Sequence, residues 1–303
     1  MRDTSADALP EVLPEAGATA AARPRFLRPI GSSRRDEAVT LLMEGFPATS
    51  RAFWERGLER QVALQGGDFG YCLEAGGQVV GIMLALRSTR SRPDGTLYPV
   101  VNLSSWYIQP AHRWRAVPML RAIVEESDGL VTDLTASESI YRMNAAVGLS
   151  PWSNGMILAG VLPWAALPAR RGSSVLRLAQ ATAVLGPAEA AMLEWHERDG
   201  LIAGVLCEET STCPLLFRPI RRKGVRFAQL IFAGSRKAVI RNLPAVMRFL
   251  AGRGILFLSI DAYREDCPRG AFFRPGRQRF WRGVVDRDRL DYAYSELVLF
   301  GVS

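Results

Sequence analysis

Asn102, Ser104 and Trp106 recur at every second position of one apolar run, and a few residues later, past Gln109 and Pro110, come His112, Arg113 and Arg115. A period of two places the first three on one face of a strand. The segment that follows, AHRWRAVPMLRAIVEES, has the apolar spacing of a helix. A helix start fed by a strand offers unpaired backbone N–H groups and the positive end of the helix dipole, which together hold anions. Arginines at that turn would strengthen it for a polyphosphate; the plainer alternative is that they solvate the helix start.

Other chemistries find little support. The two histidines, His112 and His196, cannot form a helical pair of metal ligands, and a hydrolase triad would have to use one of them. Cys72, Cys207, Cys213 and Cys267 match neither a zinc ribbon nor a Cys-x-x-Cys pair, so no metal is expected. The net charge of +8 could suit nucleic acid, but all of the 38 basic residues except Lys223 and Lys237 are arginine, spread along the chain and matched by acids as in DRDRLD. A nucleic-acid surface needs clustering as well as net charge, which argues against that partner. The stretch ILAGVLPWAAL is too short to span a bilayer and no basic start precedes an apolar run, so the reading is cytoplasmic with no membrane span.

With 303 residues and 48% apolar content, the chain can hold two domains. Residues 1–24, rich in Ala, Pro and Glu, read as a disordered tail. The first half then reads as a strand FLRPI, helices RRDEAVTLLMEGF and RAFWERGLERQVAL, the second opened by Ser50, a hairpin turning at Gly76-Gly77, and the strand YPVVNLSSWYIQ. After the basic turn and its helix come a strand GLVTDLTA, a helix SESIYRMNAAV stopped by Gly148, and a closing strand GMILAGVLP. Residues 163–186 read as a connector. The second half repeats the order: strands LIAGVLCE, PLLFRPIRR and VRFAQLIFAG, a helix over 235–252, a strand ILFLSIDA and a last strand YAYSELVLFG. The arginines of RPGRQRFWRG read most simply as a solvated loop, or as binders of an anionic acceptor, and His196 reads as structural.

Antiparallel strands, a helix after a basic turn, a parallel strand, a second helix and a final strand, with YIQPAHRWRA and SIYRMNAAVGL in register, resemble the GNAT (Gcn5-related N-acyltransferase) superfamily. The resemblance implies an α/β fold of the mixed α+β kind: tandem acyl-CoA N-acyltransferase-like domains, each a mixed antiparallel and parallel sheet flanked by helices. The implied division is an acyl-CoA-binding domain over 25–162, a linker over 163–186 and a degenerate second domain over 187–303. The co-substrate would be acetyl-CoA or another acyl-CoA, and the acceptor a small-molecule, sugar or peptide amine. Implied cofactor contacts are Trp106, Tyr107 and Ile108 at the strand end, Arg113, Trp114, Arg115, Ala116 and Val117 at the turn, and Asn144. Implied catalytic candidates are Asn102, Ser104 and Tyr141, with Asp133 as another possible base.

The family's loop pattern, Arg or Gln, two residues, Gly, one residue, then Gly or Ala, falls on Arg113, Ala116 and Pro118, so only its first position agrees. Pro118 has no N–H to give a phosphate, although the first helical turn tolerates it; guanidinium groups would replace backbone donors. The family's usual Tyr, four residues before the helix-ending Gly, falls on Asn144, and Tyr141 stands a turn earlier. The expected activity is transfer of an acyl group, in the first place acetyl, to an amine by direct attack on the thioester. The alternative is a non-catalytic binding or scaffolding module on the same fold.

Overall fold

The computed structural model describes residues 26–92, 95–283 and 286–301; the tail read over residues 1–24 lies outside them. In chain order the first half comprises β1 (Leu27–Gly31), α1 (Arg35–Gly45), α2 (Arg51–Gln65), β2 (Asp68–Ala75), β3 (Gln78–Ser91), β4 (Leu97–Ile108), α3 (Ala116–Glu126), β5 (Leu130–Asp133), α4 (Tyr141–Ala146) and β6 (Ser150–Gly160). The second comprises α5 (Val161–Ala165), β7 (Ser174–Arg177), α6 (Leu178–Ala181), α7 (Pro187–Arg198), β8 (Ile202–Cys207), β9 (Thr212–Arg222), β10 (Val225–Ala233), α8 (Arg236–Arg241), α9 (Leu243–Ala251), β11 (Phe257–Ala262), β12 (Phe272–Arg282), β13 (Leu290–Asp291) and α10 (Glu296–Leu299).

The strands form one mixed sheet in the order β1-β2-β3-β4-β5-β12-β6-β11-β10-β9-β8-β7, with β13 beside β10. Among the described residues, only β4 with β5, and β10 with β11, are parallel. Each parallel pair is joined through helix, as a crossover connection requires. The halves exchange strands: β12 of the second lies between β5 and β6, and β6 of the first lies between β12 and β11.

Local sequence explains the elements that frame the first parallel pair. Gly76 and Gly77, both at positive φ, make the two-residue turn between β2 and β3 that only glycine enters freely. Ser50 caps α2 by accepting the Phe53 N–H at 3.3 Å. Along β3, Ile82, Leu84 and Leu86 pack against α1 and α2, while Met83 and Ala85 pack against α3 on the opposite face. Among the described residues, no helix is long and apolar enough to cross a membrane.

Several elements differ from the sequence reading. The basic turn is a separate 3-10 segment, Pro110–Arg115, and the α-helix begins only at Ala116. The second-half helix breaks at Asn242, because Pro244 cannot supply a backbone hydrogen bond and starts α9 instead. Residues 163–186, read as a connector, contribute the edge strand β7, paired to β8. RPGRQRFWRG, read as a loop, belongs to β12 in the middle of the sheet; its polar residues hid an apolar anchor, Phe273 and Phe280, that is buried. YAYSELVLFG, read as the last strand, is a turn followed by the short helix α10. Tyr294 there takes a left-handed φ of 55°, which ends the extended run.

Candidate active site

Strands β4 and β5 pair in parallel from Val100 and Leu130 only as far as Leu103 and Asp133. Beyond that point β4 continues to Ile108 without β5, and the sheet opens. At the opening β4 is bulged: Ala85 faces Leu103 and Met83 faces Trp106, leaving Ser104 and Ser105 together opposite Leu84. An extra residue of this kind bends the strand and re-aims its side chains and N–H groups. The bulge thus lies just before Trp106 and Tyr107, two of the cofactor contacts that the resemblance implies.

A cavity of about 800 Å³ fills the opening. Its walls include Met83 and Leu120 from the α3 face and Phe53 and Trp54 from the α2 face, so it reaches both sides of the sheet. Ser104, Trp106, Asp133, Thr135, Asn144 and Glu296 line it between those walls. Three buried polar atoms of its lining residues have no hydrogen-bond partner among the described residues: the donor Nε1 of Trp54 on the α2 side and, between the walls, a donor and acceptor pair, Nε1 of Trp106 and Oδ1 of Asn144. Buried polar groups are normally paired, so this pair suits a ligand bearing both an amide C=O and an amide N–H.

Glu296 reaches this cavity from the far end of the chain. Its carboxyl accepts from the hydroxyls of Ser104 and Thr135 and from the Ser105 N–H, and so spans the gap between the two diverging strands. Its own N–H donates to Asn102 Oδ1 at 3.2 Å. Burial pushes the carboxyl up to about 8, the charge of Asp133 adds to this, and the hydrogen bonds and Arg279 oppose it. Asp133 is also raised by burial, against hydrogen bonds from Asn144 (2.8 Å) and from the N–H groups of Thr135 and Ala136.

The turn that delivers Glu296 is held by His196. Its Nδ1 meets the Met192 carbonyl at 2.9 Å and its Nε2 accepts the Tyr294 N–H at 3.1 Å. Trp195, His196 and Tyr294 pack against one another in edge-to-face and tilted contacts, which hold Tyr294 in its strained conformation. His196 is fully buried, and burial lowers its pKa to about 4.

Of the residues singled out from sequence, Ser104, Trp106, Asp133 and Asn144 line the cavity. Asn102 lies behind it, donating to Thr132 Oγ1 at 2.9 Å and fixing α10. Tyr141 accepts the Gln278 N–H at 2.7 Å and packs on Phe280, away from the lining. Tyr107 turns to the α1 face, donating to Glu44 at 2.8 Å, and Ile108 is buried under α3. Ala116 and Val117 pack into the same core, Trp114 is 70% exposed, and Arg115 donates to the Glu74 carbonyl at 3.2 Å while stacking on Trp114 and Phe26. Arg113 is exposed. None of residues 107, 108 and 113–117 lines the cavity. Sequence reasoning missed Glu296, whose one signal was a carboxylate inside an otherwise apolar stretch.

The second half closes its equivalent opening. β10 carries its own bulge at Ile231, but Phe232 and Ala233 beyond it pair with β13. At the start of α8, Asp288 accepts from the Lys237 N–H at 2.9 Å and from the Ser235 hydroxyl at 2.5 Å, filling the place an anion would take.

A bulged strand, its parallel neighbour diverging at the bulge, and a helix crossover between them decide the comparison. The chain has the fold of the GCN5-related N-acetyltransferases. Among solved structures it is similar to a GCN5-related N-acetyltransferase from Anabaena variabilis, at TM-score 0.54 and 12% identity over 86% of this chain and 72% of that one. A second, from Kribbella flavida, gives TM-score 0.51 and 17% identity over 85% and 70%. Identities this low mark a shared GNAT fold. No family model matches the sequence, and no curated protein matches it.

Proposed function

We propose that the protein is an acyl-CoA-dependent N-acyltransferase whose amine acceptor is deprotonated by Glu296. The observation that carries this reading is a buried, proton-holding carboxyl beside a strand bulge, inside a cavity open to both faces of the sheet. The α3 side, with the unpaired groups of Trp106 and Asn144, suits the amide-bearing arm of the coenzyme. Arg113 and Arg115 at the turn before α3 would hold its phosphates. The acceptor would enter from the α2 side. Its nitrogen then attacks the thioester carbonyl carbon, a C–N bond forms, the C–S bond breaks with its electron pair leaving on the coenzyme thiolate, and Glu296 in its ionised form takes the proton released from nitrogen. A base that releases its proton near pH 8 is well matched to this task.

The carboxyl's hold on the Ser105 N–H favours one second reading, a non-catalytic binding module, since it occupies a donor that could polarise a carbonyl. Titration with acetyl-CoA and a longer acyl-CoA, then thiol release across amine classes, separates the two. Binding with turnover supports the transferase, and binding without turnover of any amine supports the module. Absence of acyl-CoA binding removes both.

A further inference from the structure

Arg277 stands on a break in β12. Pro275 pairs with Gly155 and Arg279 with Ser153, so Gly276, Arg277 and Gln278 together oppose the single residue Asn154 and bulge out of the ladder. Tyr141 pins this bulge by accepting the Gln278 N–H. A bulge so held aims a side chain away from the sheet, and Arg277 borders the cavity. Arg56 of α2 borders it as well. Both arginines are exposed, and neither makes an ion pair or a hydrogen bond with another described residue.

The remaining ionisable groups of the lining are Asp133 and Glu296, both held toward their neutral forms by burial. While Glu296 holds its proton, the two guanidinium groups outweigh Asp133 in either of its forms, which draws anions and repels a polycation. Guanidinium groups bind carboxylate and phosphate through strong charge-assisted hydrogen bonds.

We propose that the acceptor is an amine that also bears a carboxylate or a phosphate, held by Arg277 and Arg56 while its nitrogen faces the bulge at Ser104 and Ser105. This rests on the transferase reading only for which end of the ligand reacts.

Calorimetric titration of the full chain tests it with matched probes: L-phenylalanine against 2-phenylethylamine, O-phosphoethanolamine against ethanolamine, and spermidine. At least one anionic probe should bind about tenfold or more tighter than its neutral partner, and which pair shows the gap separates carboxylate from phosphate. Arg277→Gln and Arg56→Gln should each shrink that gap by about tenfold and leave acetyl-CoA affinity unchanged. Tyr141→Phe, which removes the oxygen pinning the bulge, should shrink it without touching the neutral probes. Equal binding within both pairs, no binding of any probe, preference for spermidine, an unchanged gap in the arginine variants, or loss of acetyl-CoA affinity in them would overturn the proposal; the last outcome would assign these arginines to the coenzyme. Thiol release on the same samples reports on the transferase reading alone, so selective anion binding without release removes that reading and leaves the anion subsite standing.

Discussion

Replacing Glu296 by Gln tests whether this carboxyl is a proton-holding group, apart from any assay of turnover. Glutamine keeps the size and can still meet the hydroxyls of Ser104 and Thr135, one as acceptor and the other as donor. In the unfolded chain the carboxyl ionises near 4.5, and in the folded chain near 8. Between those values the unfolded state has lost a proton that the folded state keeps, so this group lowers stability as pH rises, by up to about 1.4 kcal/mol per pH unit. The accumulated cost is roughly 5 kcal/mol at pH 8, and the effect is absent below pH 4.5. Urea unfolding of both proteins from pH 5 to pH 9 should therefore show the Gln variant gaining on the wild type up to about pH 8 and then levelling off. His196 contributes equally to both proteins and cancels. Asp133 and Arg279 face the same carboxyl, so the wild-type slope belongs to a coupled set, and the difference curve isolates what Glu296 adds. A difference that stays flat with pH would refute the argument. If Glu296 is also the base, thiol release should rise with pH toward an apparent value near 8 in the wild type and remain low in the variant throughout.

Arg113→Ala should weaken acetyl-CoA binding about ten- to a hundredfold, less so at high salt, while Arg121→Ala, further along α3, stays near wild type; equal small effects by calorimetry would assign the basic turn to solvation. Arg90 and Asp291 form an ion pair at 2.9 Å with side chains 3% and 0% exposed, so Arg90→Ala, which leaves the buried carboxylate only Arg289 at 3.9 Å and the Ala293 N–H, should cost about 3 kcal/mol in urea unfolding. His196 is held neutral to about pH 4, so its contribution to stability is whole above pH 6.5 and lost as pH falls toward 4; His196→Gln should flatten that acid limb in thermal melts. Gly57→Ala would set a Cβ 2.0 Å from the Phe300 ring, displacing the residue that follows α10; a loss of about 1 to 3 kcal/mol with reduced thiol release is expected, and unchanged turnover would show that α10 need not be held there.

Both parallel strand pairs were legible in the sequence because a strand, a helix and a strand with short links leave one handed arrangement. The hairpin at Gly76-Gly77 and the Ser50 cap were legible because each rests on chemistry within a few residues. The cavity was legible only where it is built from β4, the end of β5 and α4, at Ser104, Trp106, Asp133 and Asn144. Glu296 is 192 residues from the serine that binds it, and no local pattern encodes such a pairing. Tyr294 misled for a related reason: YAYSELVLFG has strand composition, and the turn that breaks it is held by a histidine 98 residues away. Arg277 was read among exposed arginines, which it is, but its bulge depends on Tyr141, 137 residues before the Gln278 that it holds.

The exchange of β6 and β12 also bears on how the chain can be made. When the ribosome has released β5, the edge that β12 will cover is still bare, and its partners at Val131, Thr132 and Asp133 wait for residues 280–282. At 5 to 20 residues per second the interval between them is roughly seven to thirty seconds. During that time the nascent first half presents an open strand edge able to pair with other chains. The unit that can fold completely during synthesis is therefore neither half but nearly the entire polypeptide, and a nick between the halves should yield fragments that recover their structure only when refolded together.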